Sequence, residues 1–208
     1  MPSHIVDSLI FRDFYSTDAM RAIFDDAHLV QCWLDVEAAL ARAQAHLTII
    51  PQAAAEEITR QAKAEGIDYD KLRAGTNLVG YPILPLVRQL AARCTGDAGR
   101  YVHWGATTQD IMDTGNVLQL RSALTLIEQS ITQLIAALTK IAQTHRDTVM
   151  AGRTHGQHAL PITFGFKVAV WIDELQRHAE RFAQCRPRLL RCSFNGAAGT
   201  LASLGENG

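Results

Sequence analysis

The chain has 208 residues, 20 basic and 21 acidic side chains, a formal net charge of −1 and 48% hydrophobic residues. That length buries a full core in one or two domains, and the balanced charge gives no global field for nucleic acid or an anionic membrane surface. No apolar run reaches the length of a membrane span, and the N-terminus lacks the regions of a signal peptide. Cys32, Cys94, Cys185 and Cys192 form no Cys-x-x-Cys pair, so reduced thiols and a cytoplasmic location are expected.

From Met1 to about Asp25, Phe11, Phe14, Tyr15 and Phe24 stand among charges, and Ser16-Thr17-Asp18 offers capping oxygens for a first helix. Leu29, Trp33, Val36, Leu40, Ala43 and Leu47 recur at spacings of three and four, which predicts an amphipathic helix ending before Pro51. Residues 52–65 predict a shorter helix stopped by Gly66, residues 68–73 a brief helix or turn, and Leu84 to Cys94 another helix, with a loop over Thr95 to Gly99. Two long stripes follow. Val117, Leu120, Leu124, Ile127, Ile131, Leu134, Leu138, Ile141 and His145 form one; Phe164, Val168, Trp171, Leu175, His178, Phe182, Cys185 and Leu189 form the other. Such stripes belong to long helices packed nearly parallel or antiparallel to neighbours, and His145, His178 and Cys185 are assigned to packing. No run alternates at period two, so no sheet of consequence is expected. The fold class is all-α, with the composition shift near Gly99 dividing it into domains 1–99 and 100–208. Leu204 to Gly208 carries no terminating signal, and the chain reads as a fragment.

Three polar constellations interrupt this pattern. The first is His103-Trp104-Gly105-Ala106-Thr107-Thr108-Gln109-Asp110, followed by Asp113 to Asn116. Thr107 three residues before Asp110 is a capping-box pattern; free N–H groups and hydroxyls at a helix start are equally a seat for a carboxylate. The second, Gly152 to Pro161, lies between the two stripes and is too polar for the inside of either helix. Pro161 suits the first turn of the following helix, which would leave Thr154, His155 and Gln157 on a loop held by two rods. An imidazole there is either a hydrogen-bonded structural group or a proton-transfer group, since its unperturbed pKa lies near neutrality. The spacing of His155 and His158 also admits a metal pair, against which stand Gly156 between them and the lack of a matching carboxylate. The third, Phe194 to Leu201, lacks the glycine spacing of a dinucleotide loop and by itself is a turn between helices.

Gly152-Arg153-Thr154-His155-Gly156-Gln157, with Ala159, Pro161 and then Thr163-Phe164-Gly165, resembles the second signature block of the fumarase/aspartase superfamily. The His103–Asp110 and Gly196–Thr200 blocks resemble two further blocks of that superfamily in kind and order. The resemblance implies an N-terminal helical domain followed by the first part of a long central bundle. It implies homotetramers whose active sites gather blocks from different subunits, a polycarboxylate substrate, no cofactor and no metal. By the same resemblance His155 is the catalytic proton-transfer group at the departing atom, and Thr107, Thr108, Gln109, Thr154, Gln157 and Thr200 contact substrate. Thr108 stands where the family usually has serine, which keeps the hydroxyl and adds a methyl.

The family's block Gly-Ser-Ser-x-Met-Pro-x-Lys-x-Asn-Pro, which carries the serine assigned to C–H abstraction, does not occur before Gly208. Its absence implies either a longer protein or a catalytically incomplete one. Tyr81-Pro82 stands where adenylosuccinate lyases have His-Asp, and Leu201 where they have glutamine, so the resemblance points to a 3-carboxy-cis,cis-muconate cycloisomerase-like member. The alternatives are adenylosuccinate lyase or another fumarate-releasing lyase, a non-catalytic structural or assembly protein on the same scaffold, and a helical adaptor.

Overall fold

The computed structural model describes residues 4–207, and within them the chain is all-α apart from one two-stranded hairpin. Two short helices, α1 (Arg12–Tyr15) and α2 (Asp18–Ile23), come first; the Thr17 hydroxyl accepts the Met20 N–H at 3.2 Å, as the capping oxygens suggested. Next is α3 (Asp26–His46), where the Asp25 carboxylate accepts the His28 N–H at 2.7 Å. Then follow α4 (Gln52–Gln61), α5 (Tyr69–Val79) and α6 (Ile83–Arg93). The helix α5 outruns the brief segment expected at 68–73 because Asp68 caps its start and Gly80, at φ 85°, gives the left-handed exit. The two stripes become α7 (Thr108–Thr144) and α8 (Phe164–Leu189), with β1 (Val149–Thr154) and β2 (Gln157–Thr163) between them.

The chain forms two compact units, one reaching to Arg121 and resuming at Leu190, the other Ser122–Leu189. The 99/100 boundary expected from composition lies inside the first. In that unit α3 is the central element. Of the expected stripe Trp33 and Val36 are buried, but Ala43 is exposed and Leu47 is 59% exposed; the buried face also takes in Val30, Leu34, Glu37, Ala41, Gln44 and Ala45. Around it pack Ile58 of α4, Leu72 of α5, Ile83, Leu86 and Leu90 of α6, and Ile111 of α7. Each such side chain contributes about 1.5–3 kcal/mol on leaving water. A Cβ on Gly115 of α7 would lie 2.5 Å from Trp33 Cδ1 on α3, so glycine is what lets these helices meet.

In the second unit the Ser122–Thr144 part of α7 and α8 run antiparallel. Arg186 Nη1 lies 3.3 Å from the Glu128 carboxylate at one end, and at the other a Cβ on Gly165 would come within 2.6 Å of the Ala142 carbonyl. His145 packs edge-on against Phe164, with ring centroids 5.3 Å apart. His178, assigned to packing from its spacing, is instead exposed beside Glu174 and Arg181. Leu134, Ile141 and Trp171 also stay exposed, because two helices and a hairpin cover only one side of each stripe.

Where no sheet of consequence was expected, the hairpin is a small two-stranded one. Pro161 sits in β2 opposite Ala151, not in the first turn of α8; in a two-stranded ribbon every strand is an edge, so its missing N–H is tolerated. The helix α8 opens at Phe164, with Thr163 Oγ1 accepting the Phe166 N–H at 3.2 Å. All four cysteines are unpaired, and burial, with Asp35 nearby, pushes the Cys32 thiol up to about 11. Among the described residues no helix is long and apolar enough to cross a membrane.

The α3–α7 contact is directly testable. Gly115→Ala gains helix propensity of about 1 kcal/mol but forces a methyl into the Trp33 ring, an overpacking cost of about 1–3 kcal/mol. Urea denaturation should show net destabilisation; a variant as stable as wild type would mean the helices do not meet at this glycine.

Candidate active site

Asp110 organises the candidate residues of the first unit. It occupies the third position of α7, and its Oδ2 accepts the Thr107 N–H at 3.0 Å, the back-reaching arm of a capping box. Its other bonds are long-range. Oδ1 accepts the Asn195 N–H at 2.8 Å, and Oδ2 accepts the Gly196 N–H at 3.0 Å. The residue is only 2% exposed. One turn along, Thr114 Oγ1 donates to the Ser193 carbonyl at 3.1 Å and accepts the Ser193 N–H at 3.0 Å. Two side chains of α7 thus hold the segment that begins at Ser193.

That segment then turns back on itself. The Leu201 N–H donates to the Asn195 carbonyl at 3.2 Å, and Gly196, Gly199 and Leu201 all have positive φ. Leu204 lies against Gly105, where a Cβ would meet its side chain at 2.8 Å. The structure therefore brings the His103–Asp110 block and the Asn195–Leu201 block together, and with them Thr107, Thr108, Gln109 and Thr200. Thr107 and Thr108 are half-buried, while Gln109 and Thr200 are exposed. Gln109 donates to the Asp113 carboxylate. The hydroxyls of Thr107, Thr108 and Thr200 have no protein partner among the described residues; the Asp110 N–H is taken by the Thr107 carbonyl at 3.1 Å, which leaves the Thr108 and Gln109 N–H groups as the first-turn donors of α7 without an intrahelical acceptor. A carboxylate placed there gains about 0.3–1 kcal/mol from the helix dipole before any hydrogen bond is counted.

Thr154, His155 and Gln157 belong to the second unit. Thr154 pairs with Gln157, and between them His155 has φ 49° and Gly156 φ 74°. Two successive left-handed residues make a type I′ turn, whose twist matches that of the flanking strands. A side chain in this region costs about 1–2 kcal/mol, and histidine is among the residues that tolerate it. The register slips at Gly152, where a Cβ would stand 2.7 Å from the Leu160 carbonyl, so this glycine admits a bulge that a larger residue would block. The expected loop is thus a hairpin with His155 exposed at its tip. His158 pairs with Arg153 in the ladder, so His155 and His158 never take the helical geometry of a metal pair. Among the described residues no three His, Cys, Asp or Glu side chains converge to hold a metal ion.

Residue spacing missed two features. Asp110 reads as a local cap, and nothing in its neighbourhood signals the bonds to Asn195 and Gly196. Glu37 and Gln44 were hidden inside α3, although their intervals from Val30, Leu34 and Ala41 are those of a buried line broken by two polar residues. Removing the Asp110 carboxylate should leave three N–H groups without an acceptor. Asp110→Ala should cost about 2–4 kcal/mol, and amide exchange at Asn195 and Gly196 should accelerate well beyond that of the α3 core. Unchanged exchange at those two amides would refute the tether.

Comparison with known proteins adds an independent result. A profile of the lyase family matches residues 14–207. The crystal structure of fumarate lyase from Mesorhizobium sp. BNC1 is 53% identical, with a TM-score of 0.88 over 93% of this chain and 45% of that one. That of β-carboxy-cis,cis-muconate cycloisomerase from Acinetobacter calcoaceticus sp. ADP1 is 42% identical, with a TM-score of 0.90 over 95% of this chain and 47% of that one. Adenylosuccinate lyase of Methanothermobacter thermautotrophicus is 45% identical over 194 residues, 93% of this chain and 43% of the relative. The chain spans less than half the length of each of these relatives.

Proposed function

The chain belongs to the fumarase/aspartase superfamily of lyases, and from that premise we propose that the protein acts on a di- or tricarboxylate. A proton α to a carboxylate is removed and a bond at the β carbon breaks, or the same addition runs in reverse. The observation that carries this reading is the start of α7, where Asp110 is consumed by backbone N–H groups while the Thr107 and Thr108 hydroxyls remain unengaged. A weak carbon acid needs its developing enediolate held by fixed donors, and Thr107, Thr108, Gln109, Thr154, Gln157 and Thr200 are the groups assigned to hold the substrate. His155 transfers the proton at the departing or adding atom. The base for the C–H proton is not assigned within residues 1–208.

Within the superfamily we favour a 3-carboxy-cis,cis-muconate cycloisomerase-like activity. Tyr81 is exposed between α5 and α6, and Leu201 closes the 195–201 loop, so neither position offers the histidine or the amide that a nucleotide substrate would use. The 45% identity to an adenylosuccinate lyase keeps that activity as the second reading. Assayed on both substrates, the intact protein should turn over the tricarboxylic muconate and leave adenylosuccinate largely uncleaved. Efficient release of AMP and fumarate would reverse this order.

His155→Asn tests the catalytic assignment without breaking the hairpin, since asparagine also accepts a positive φ. On the intact protein kcat should fall about 10²–10⁴-fold, the usual contribution of a general acid–base group, with the fold unchanged; His158→Asn should cost far less. Undiminished kcat in a folded His155→Asn protein would reduce the histidine to a turn residue. The apolar residues left exposed on the long helices, Leu134, Ile141 and Trp171 among them, support a homotetramer. Light scattering at micromolar concentration should report that assembly; a monomeric mass would count against it.

A further inference from the structure

The loop that leads into α7 is strained and is held from below. His103 has φ 63° and Gly105 φ 74°, and a non-glycine residue in that region costs about 1–3 kcal/mol unless its surroundings impose it. Two side chains of α3, two helical turns apart, supply that constraint. Glu37 Oε1 lies 2.6 Å from His103 Nδ1, and Gln44 Nε2 donates to the Trp104 carbonyl at 2.6 Å. Glu37 is 1% exposed, and among the described residues its second oxygen has no partner. A lone carboxylate in a core is costly, and an apolar residue of similar volume would stabilise the unit at least as well. Among the described residues the His103 imidazole is the group that bonds this carboxylate, and its ring reaches from the buried oxygen to the partly exposed loop.

We propose that Glu37 is a positioning residue for the carboxylate seat at the start of α7, acting through His103. The Glu37 carboxylate fixes the ring by its Nδ1 edge. The ring then holds the left-handed turn from which Thr107 and Thr108 are delivered to the helix N-terminus. This inference rests on the reading of Thr107 and Thr108 as carboxylate ligands, and it adds the buried group that keeps them in place.

The test uses the intact protein and fumarate as a dicarboxylate probe, with binding measured by calorimetry and the His103 imidazole followed by NMR. Glu37→Gln keeps the size of the side chain and removes its charge. Losing one charge-assisted hydrogen bond should weaken fumarate binding on the order of 10-fold. The far-downfield Nδ1 proton of His103 should disappear. His103→Asn, which tolerates the backbone angle, should weaken binding similarly, and the double variant should be no worse than either single one, because both act along one path. Additive losses would overturn the proposal. So would a folded Glu37→Gln protein that binds fumarate as tightly as wild type, or more tightly, as removal of a merely nearby negative charge would produce. If Glu37→Gln fails to fold, undiminished binding by folded His103→Asn overturns it equally. Thr107→Val/Thr108→Val serves as the control on the underlying reading. If that variant binds fumarate normally, or wild type does not bind it, the seat itself is wrong and the inference falls with it; if only the Glu37 arm is silent, the seat stands and the inference alone fails.

Discussion

The Asp110 carboxylate is the constraint on which the candidate site in the first unit depends. A helix N-terminus leaves N–H groups unsatisfied, and a carboxylate in the first turn ordinarily answers them locally. Asp110 gives one lone pair to Thr107 and spends its remaining capacity on Asn195 and Gly196, in a chain segment that returns after the whole of the second unit. The backbone is the donor in all three bonds, so the tether is indifferent to the side chains it joins. It fixes where the 195–201 loop lies while leaving the neighbouring threonine hydroxyls uncommitted.

The candidate residues of each unit are preorganised by a different device. In the first unit, buried polar side chains do it: Asp110 on α7, and Glu37 and Gln44 on α3, each reach a loop whose backbone would otherwise relax. In the second unit local geometry suffices, since a type I′ turn and a bulge at Gly152 define the hairpin tip without help from distant residues. The first arrangement carries the penalty of placing polar groups in a core, the second that of a histidine held at positive φ. Such local conflicts gather where a chain serves function more than stability.

The exposed apolar residues of α7 and α8 have a related origin. A stripe of period three and four is a demand for a covering surface on more than one side, and the second unit supplies only one. The alternation of Leu134, Leu138 and Ile141 was readable as a helix from spacing alone. Spacing does not say which neighbour covers each residue.

The residues by themselves determined the helical class, the ends of most helices and the three polar blocks, because periodicity, capping oxygens and proline act over a few positions. They also contained the hairpin, in Thr154-His155-Gly156-Gln157, but a two-residue turn with histidine in place of the usual asparagine is a faint signal between two dominant helices. The stripe read along α3 caught the buried Trp33 and Val36 but missed Val30, Leu34, Glu37 and Ala41, since alanines at 38, 41, 43 and 45 make several faces look alike until neighbours choose one. Tertiary structure alone decided that Asp110 answers Asn195 and Gly196, and that Glu37 and Gln44 grip the loop before α7. Those bonds join residues from 60 to 86 positions apart, and a hydrogen bond depends on where two groups lie in space, which no local pattern of residue types records.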